Sequence, residues 1–287
     1  MRAGACLLTS MLLLTACERT PTSLQFSGDD YVVHSMLVAG ATTADVLLVR
    51  MAAGGGAFGG GMHGVPVTGA VVHIVDGADT VPLSTPGRPC AWAHEAVGAD
   101  GCYSGQLPGP IMPGRSYGLL ITLPGGRRVT GQTTVPLTPV ITEPQPLSEI
   151  EVLHQSFQEI PPITVGWSGV AARTELRIMA EGRRCALLIG REGIEWQSWG
   201  ALWIDVTAVS EARLHRRLLH CHEEERVERV PGRILVSAFD VNYAAHLCDL
   251  GDGVAVMPHR ARHGVSGAWG VFGAVANGER AVELVVR

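Results

Sequence analysis

Apolar positions along this chain fall in short runs or alternate with polar ones, and glycine and proline separate the runs, which is the pattern of strands and turns. Residues 31–38 and 44–50 are apolar and β-branched, and the segment between them is small and turn-compatible, so the two are expected to form a hairpin. Residues 65–76 alternate as one half-buried strand, followed by a turn at Gly77-Ala78-Asp79 and a strand at 80–83. Strands at 102–107, 115–123 and 127–135 complete the series, the last two joined by a tight turn at Pro124-Gly125-Gly126. Roughly seven strands in about 115 residues is the signature of an immunoglobulin-like β-sandwich, here assigned to residues 30–136.

Four prolines in residues 136–146 then predict an extended linker, taken as 137–148. In the β-rich domain that follows, 149–287, strands are expected at 163–167, 175–180, 184–190, 202–206, 214–223 and 233–238. Only 240–250 reads as a helix, with Asp240 as N-cap and Gly251 just past its end. The final stretch, 268–286, is expected to be two strands turning at Asn277-Gly278, a favoured hairpin dipeptide. The fold class is therefore all-β: an N-terminal immunoglobulin-like β-sandwich, then a second β-rich domain with one short helix.

Composition removes several function classes. A formal net charge of −5 leaves no basic footprint for nucleic acid. All 22 basic side chains are arginine, which excludes Schiff-base lysines, serine-lysine dyads and the lysine of a phosphate-binding loop. The glycine-rich stretch 54–64 consequently reads as a loop at one end of the sandwich and not as a phosphate cradle.

The N-terminus carries the most specific signal. Arg2, an apolar run at 6–14 and the word Leu14-Thr15-Ala16-Cys17 have the form of a bacterial lipoprotein signal: small residues seat the backbone in the peptidase, and the Cys17 thiol attacks the lipid donor. Residues 1–16 are thus the signal peptide, Cys17 the lipidation site and 17–29 a tether. The apolar run is shorter than the roughly 20 residues that span a bilayer, and no later segment is apolar for that long. The expected location is the bacterial outer membrane, held by lipid on its periplasmic or surface face.

The order of further motifs resembles an uncharacterised family of bacterial outer-membrane lipoproteins, catalogued as domain of unknown function 4249. After the lipobox and early hairpin comes Val67 to Asp76 in the wording V-x-G-A-x-V-x-I-x-D. A PG-x-x-Y-x-L-x-I strand follows at Pro113, Gly114, Tyr117, Leu119 and Ile121, then a TT-[IV]-P exit at Thr133 to Pro136. Near the C-terminus a Y-x-x-x-L helix, Tyr243 and Leu247, precedes G-x-x-G-V-F-G-A at Gly267 and Gly270 to Ala274. The resemblance implies an accessory lipoprotein working beside TonB-dependent outer-membrane receptors, in a family with no established catalytic residues. These motifs also have a purely structural reading: Tyr117 supplies a half-buried ring, and Gly273 admits a close neighbour.

An oxidising compartment suits the cysteines. Cys90 and Cys102 bracket a short excursion and are expected to form a disulfide, contributing about 3 kcal/mol in the chain-entropy model. Cys185, Cys221 and Cys248 allow one further bond, considered between Cys185 and Cys221. The single constellation with metal chemistry is His220-Cys221-His222 followed by three glutamates, where alternate imidazoles would share one strand face and His215 or His246 would add a ligand. No second motif at ligand spacing completes it, so it reads as a solvent-facing strand edge and no metal or cofactor is assigned. Residues 166–170 lack the last glycine of a nucleophile elbow, and adjacent carboxylates such as Asp29 and Asp30 point to opposite strand faces. No catalytic residue is nominated. Trp196, Trp199 and Trp203 are the candidate partner contacts, weighed against a role in the core.

The resulting functional expectation is a non-enzymatic binding lipoprotein with a receptor partner; the alternatives are a glycan or small-ligand binder and a zinc-dependent hydrolase. Replacing the lipidated thiol tests its foundation: Cys17→Ser is expected to move the protein from washed membranes to the soluble fraction. Retention of the variant on membranes after a 0.5 M salt wash, which releases protein held by charge alone, would refute the anchor.

Overall fold

The computed structural model describes residues 30–51, 64–85, 90, 101–154, 162–169, 171–180, 186–191, 201–204, 211–220, 229–250 and 262–286. The N-terminal strands are β1 (Tyr31–Val38), β2 (Thr43–Met51), β3 (Gly64–Pro66), β4 (Val71–Asp76), β5 (Asp79–Leu83), β6 (Cys102–Gln106), β7 (Ser116–Thr122), β8 (Arg128–Thr134) and β9 (Val140–Glu143). They are followed by β10 (Glu149–His154), β11 (Ile163–Ser168), β12 (Arg173–Ala180), β13 (Ala186–Arg191), β14 (Ala201–Ile204), β15 (Glu211–His220) and β16 (Arg229–Phe239). Helix α1 (Val241–Leu250), β17 (Arg262–His263), β18 (Val265–Ser266) and β19 (Trp269–Val286) complete the chain.

Among the described residues the protein is all-β apart from α1, and its N-terminal part is a two-layer sandwich. One layer is a five-stranded sheet in the order β18-β8-β7-β4-β5. The facing layer is made of β1, β2 and β6 together with the start of β19. Their inward side chains interleave in one core: Val33, Leu37, Val46, Leu48, Tyr103 and Phe272 from one layer meet Ile74, Tyr117, Leu119, Ile121 and Val129 from the other. Period-2 alternation in β7, where Tyr117, Leu119 and Ile121 are buried between more exposed neighbours, supplies that face directly. The Tyr117 hydroxyl accepts a hydrogen bond from the backbone N–H of Met112 five residues upstream, 2.9 Å away. This is the tyrosine corner of immunoglobulin-like sandwiches, and it explains the PG-x-x-Y wording without any ligand.

Three expectations are corrected by the pairing. The first concerns 65–76, which is not one strand: β3 pairs with β2 in the large sheet, while β4 pairs with β5 and β7 in the small one. The chain turns a corner through 67–70, so one apolar run serves both layers.

The second concerns Asn277-Gly278, which does not turn. β19 is a single 18-residue strand, antiparallel to β16 along Val275 to Val285 with Asn277 opposite Ser237 and Gly278 opposite Val236. A Cβ on Gly278 would collide with the carbonyl oxygen of Pro139, so this glycine serves a close approach and not a hairpin.

The third concerns the division at 136 and 149. β1 and β10 both run parallel to β19, along Val32 to Val38 against Trp269 to Val275 and Glu149 to Val152 against Glu283 to Val286. Between them the proposed linker is part of the sheet: β9 pairs with β11, Leu147 N–H donates to the Ala281 carbonyl at 3.0 Å, and Arg280 donates to the Ile141 carbonyl. Its prolines are compatible with that place because β9 is an edge strand, where a missing N–H costs no ladder bond. The C-terminal strands thus complete the N-terminal sandwich, and β19 runs through both parts.

Tyr117→Phe is expected to cost about 1 kcal/mol, the net worth of one hydrogen bond. For a chain of this size the melting temperature should fall by roughly 2–4 °C. An unchanged melting temperature would show that the hydroxyl does not hold the corner.

A candidate site at the junction of helix and sheets

β16 ends at Phe239, opposite Val275, and leaves the first third of β19 without that neighbour. Asp240 takes its place. Its backbone N–H donates to the Ala274 carbonyl, and its Oδ1 accepts from the N–H of Ala274 at 3.0 Å, so the ladder continues through a side chain. The same Oδ1 accepts from the Tyr243 N–H at 2.9 Å, the N-cap bond expected from the sequence. Oδ2 accepts from the Thr133 hydroxyl of β8 at 2.7 Å. One carboxylate, 7% exposed, therefore binds α1, the large sheet and the small sheet together. Burial pushes its pKa up, and the four hydrogen-bond donors from Thr133, Ala274, Tyr243 and Asn242 pull it back.

Asn242 makes a second clasp: its Nδ2 donates to the carbonyls of Gln132 at 2.8 Å and Phe272 at 3.0 Å. Helix α1 can settle this closely because residue 273 is glycine; a Cβ there would lie 2.7 Å from the Tyr243 Cβ and 2.9 Å from the Asp240 Oδ1.

Under the helix lies a cluster of rings. His34 of β1 meets Tyr243 at 5.8 Å and His246 at 5.3 Å between centroids, both nearly edge-on. Tyr243 stacks on Phe239 at 5.4 Å, and His246 reaches His263 of β17 at 6.0 Å. His34 and His246 are 4% and 2% exposed. Desolvation lowers the His34 pKa from 6.5 to about 4, so its imidazole is neutral at physiological pH. Burial, with the carboxylate of Glu175 adding to it, pushes Tyr243 up to about 12. Glu175 is itself pushed up by burial, against the pull of Arg177 at 2.6 Å and of Arg173.

The sequence-derived site residues fall elsewhere. Cys90 and Cys102 are joined in a disulfide with Cα atoms 5.4 Å apart, packed with Val32, Leu47, Val49 and Met51. Among the described residues only Asp45, Cys90 and Cys102 bring three potential ligand atoms within 4.8 Å of one another. The disulfide consumes both thiolates, so this group does not fit a metal.

Cys17, Trp196, Trp199, Cys185, Cys221 and His222 lie outside the described residues; Trp203 is in β14, and His220 ends β15. His246, offered as a ligand beside His220, packs against His34, which is aligned with Val271 near the start of β19. β15, which carries His220, instead joins β10 beyond the opposite end of β19. The ring cluster itself was not foreseen, because His34, His246 and His263 share no spacing motif. The one available signal was a histidine inside the mostly apolar run of β1.

No family model matches the chain, and no curated protein matches it. Among solved structures the chain is similar to DIP-gamma IG1+IG2, at 13% identity over 91% of this chain and 99% of that one, with a TM-score of 0.23. It is similar to mouse clustered protocadherin PcdhgC3 EC1-3 at 9% identity, 75% and 54% coverage and a TM-score of 0.24. The enterotoxigenic E. coli adhesin CfaE gives 8% identity, 90% and 86% coverage and a TM-score of 0.23. Scores this low carry no argument; the sandwich assignment rests on the register, the shared core and the tyrosine corner.

The His34 shift has a definite sign. A histidine that titrates at 6.5 when unfolded and near 4 when folded contributes stability above pH 6.5 and loses it as the pH falls toward 4. The loss is about 3 kcal/mol, opposed in part by Asp240 and Glu175, whose raised pKa values favour the folded state in acid. Urea titrations between pH 7 and 4 are expected to show this decline and to show a flatter profile for His34→Gln. Equal slopes would remove His34 as its cause.

Proposed function

We propose that this chain is a lipid-anchored protein of the bacterial outer membrane that acts by binding, as the accessory partner of a TonB-dependent type of transport receptor. The observation that carries this reading is the lipobox cysteine placed thirteen residues, 17–29, before a folded β-sandwich that begins at Asp30. Such an arrangement holds a rigid recognition module within reach of a membrane partner.

The chemistry of the junction supports binding over catalysis. Asp240 and Asn242 spend their polar atoms on fastening α1 to two sheets, and the imidazole of His34 is shut among rings. A group committed in this way has neither the access nor the free valence that a general acid or base needs. Of the two histidines offered as a further ligand in the zinc-dependent alternative, His215 and His246, the second belongs to the ring cluster.

Native protein extracted in mild detergent is expected to co-purify with an outer-membrane receptor, and its N-terminal peptide to carry acyl chains on Cys17. An acylated protein that brings down no receptor would overturn the accessory role, and an unacylated one would overturn the anchor.

A further inference from the structure

The strand register shows which end of the sandwich receives the tether. Tyr31 lies opposite Arg50, the Met51 N–H donates to the Asp30 carbonyl, and Val32 is aligned with Trp269. Arg262 pairs with Gly270 at the same level, and Arg128 faces Thr122 where β7 turns into β8. Arg50, Arg127, Arg128 and Arg262 are all exposed there.

Two of the four are held by aromatic faces at this end. The Arg127 guanidinium sits 5.2 Å over the Tyr31 ring and also donates to the Gly267 carbonyl; Arg262 sits 4.4 Å over the Trp269 ring. Among the described residues the acidic group at this level is Asp30, whose Oδ1 accepts from the Trp269 indole N–H at 2.9 Å. Val65 and Val71, 49% and 53% exposed, stand beside the arginines. At the far end β4 instead turns into β5 through Asp76 and Asp79, with Arg115 bonded to Asp76. On a chain of net charge −5, four arginines against one carboxylate among the described residues at the tethered end is a marked polarity.

From this placement we infer that the tethered end of the sandwich is a docking face for anionic phospholipid headgroups of the membrane that holds the anchor. The inference rests on the lipid-anchor reading and deepens it. Thirteen residues, 17–29, reach at most about 45 Å, so the anchor confines this end to within that distance of the headgroups and lets it touch them. Guanidinium groups bind phosphate oxygens through paired N–H donors, and stacking on Tyr31 and Trp269 fixes two of them in advance. Each arginine close to an anionic surface multiplies partition by about five, so four multiply it by several hundred. That attraction fades beyond about 8 Å at physiological salt, so it operates only with the end seated on the lipid.

The test uses the full chain carrying Cys17→Ser, so that no acyl group contributes. Its binding is measured by co-sedimentation with vesicles of phosphatidylcholine alone and with one-third phosphatidylglycerol. Preferential binding to the anionic vesicles that is released by 0.5 M salt is expected. Arg50→Gln with Arg128→Gln should lower it by about 25-fold, at a melting temperature close to that of the parent. Equal binding to both vesicles, salt-insensitive binding, or an anionic preference unchanged in a folded double variant would overturn the inference. If the double variant fails to fold, the salt and lipid dependence of the parent still decides. Acylation of Cys17 is read separately on native protein, so an acylated chain with no anionic preference would sink the docking face and leave the anchor standing.

Discussion

Asp240 solves a problem that the length of β19 creates. A strand that serves two parts of a protein has neighbours that stop before it does, and where β16 stops at Phe239 the backbone of Ala274 needs a new partner. The carboxylate accepts the Ala274 N–H, caps α1 through Tyr243 and takes the Thr133 hydroxyl from the opposite layer. A buried charge is costly unless its lone pairs are filled, and here they are filled from three elements at once. Removing any one of these elements would leave the others with unsatisfied polar groups.

The same geometry explains the glycine-rich words near the C-terminus. Gly273 lets the helix rest against β19, and the ring cluster of His34, Phe239, Tyr243, His246 and His263 fills the space beneath. What reads as a family motif is thus the imprint of a packing arrangement. On the binding role proposed above, recognition falls to the ends of the sandwich. The tethered end, with its arginines, is one such region.

Much of this was legible in the residues. Apolar and β-branched runs bounded by turn residues located β1, β2, β7, β8 and β16 to within a few residues, and Asp240 was readable as an N-cap because a short acceptor preceded the one helical pattern. Other elements were hidden for identifiable reasons. β17 and β18 are two residues each and exist only because β19 and β8 lie alongside. β9 lay within a proline-rich stretch that an edge position tolerates. Asn277-Gly278 carries a hairpin signature, yet its neighbours along β16 and the approach of Pro139 hold it extended.

The amino-acid order alone determined the all-β class, most strand positions, the cap of the helix and the Cys90–Cys102 pair, because each depends on side chains close together in the chain. Tertiary structure alone decided that β19 joins two parts into one sheet, that three histidines from β1, α1 and β17 meet, and which end of the sandwich gathers the arginines. Those outcomes depend on contacts between residues as far apart as Asp30 and Trp269. Local periodicity records which face a residue presents, but only strand order and register specify what that face meets.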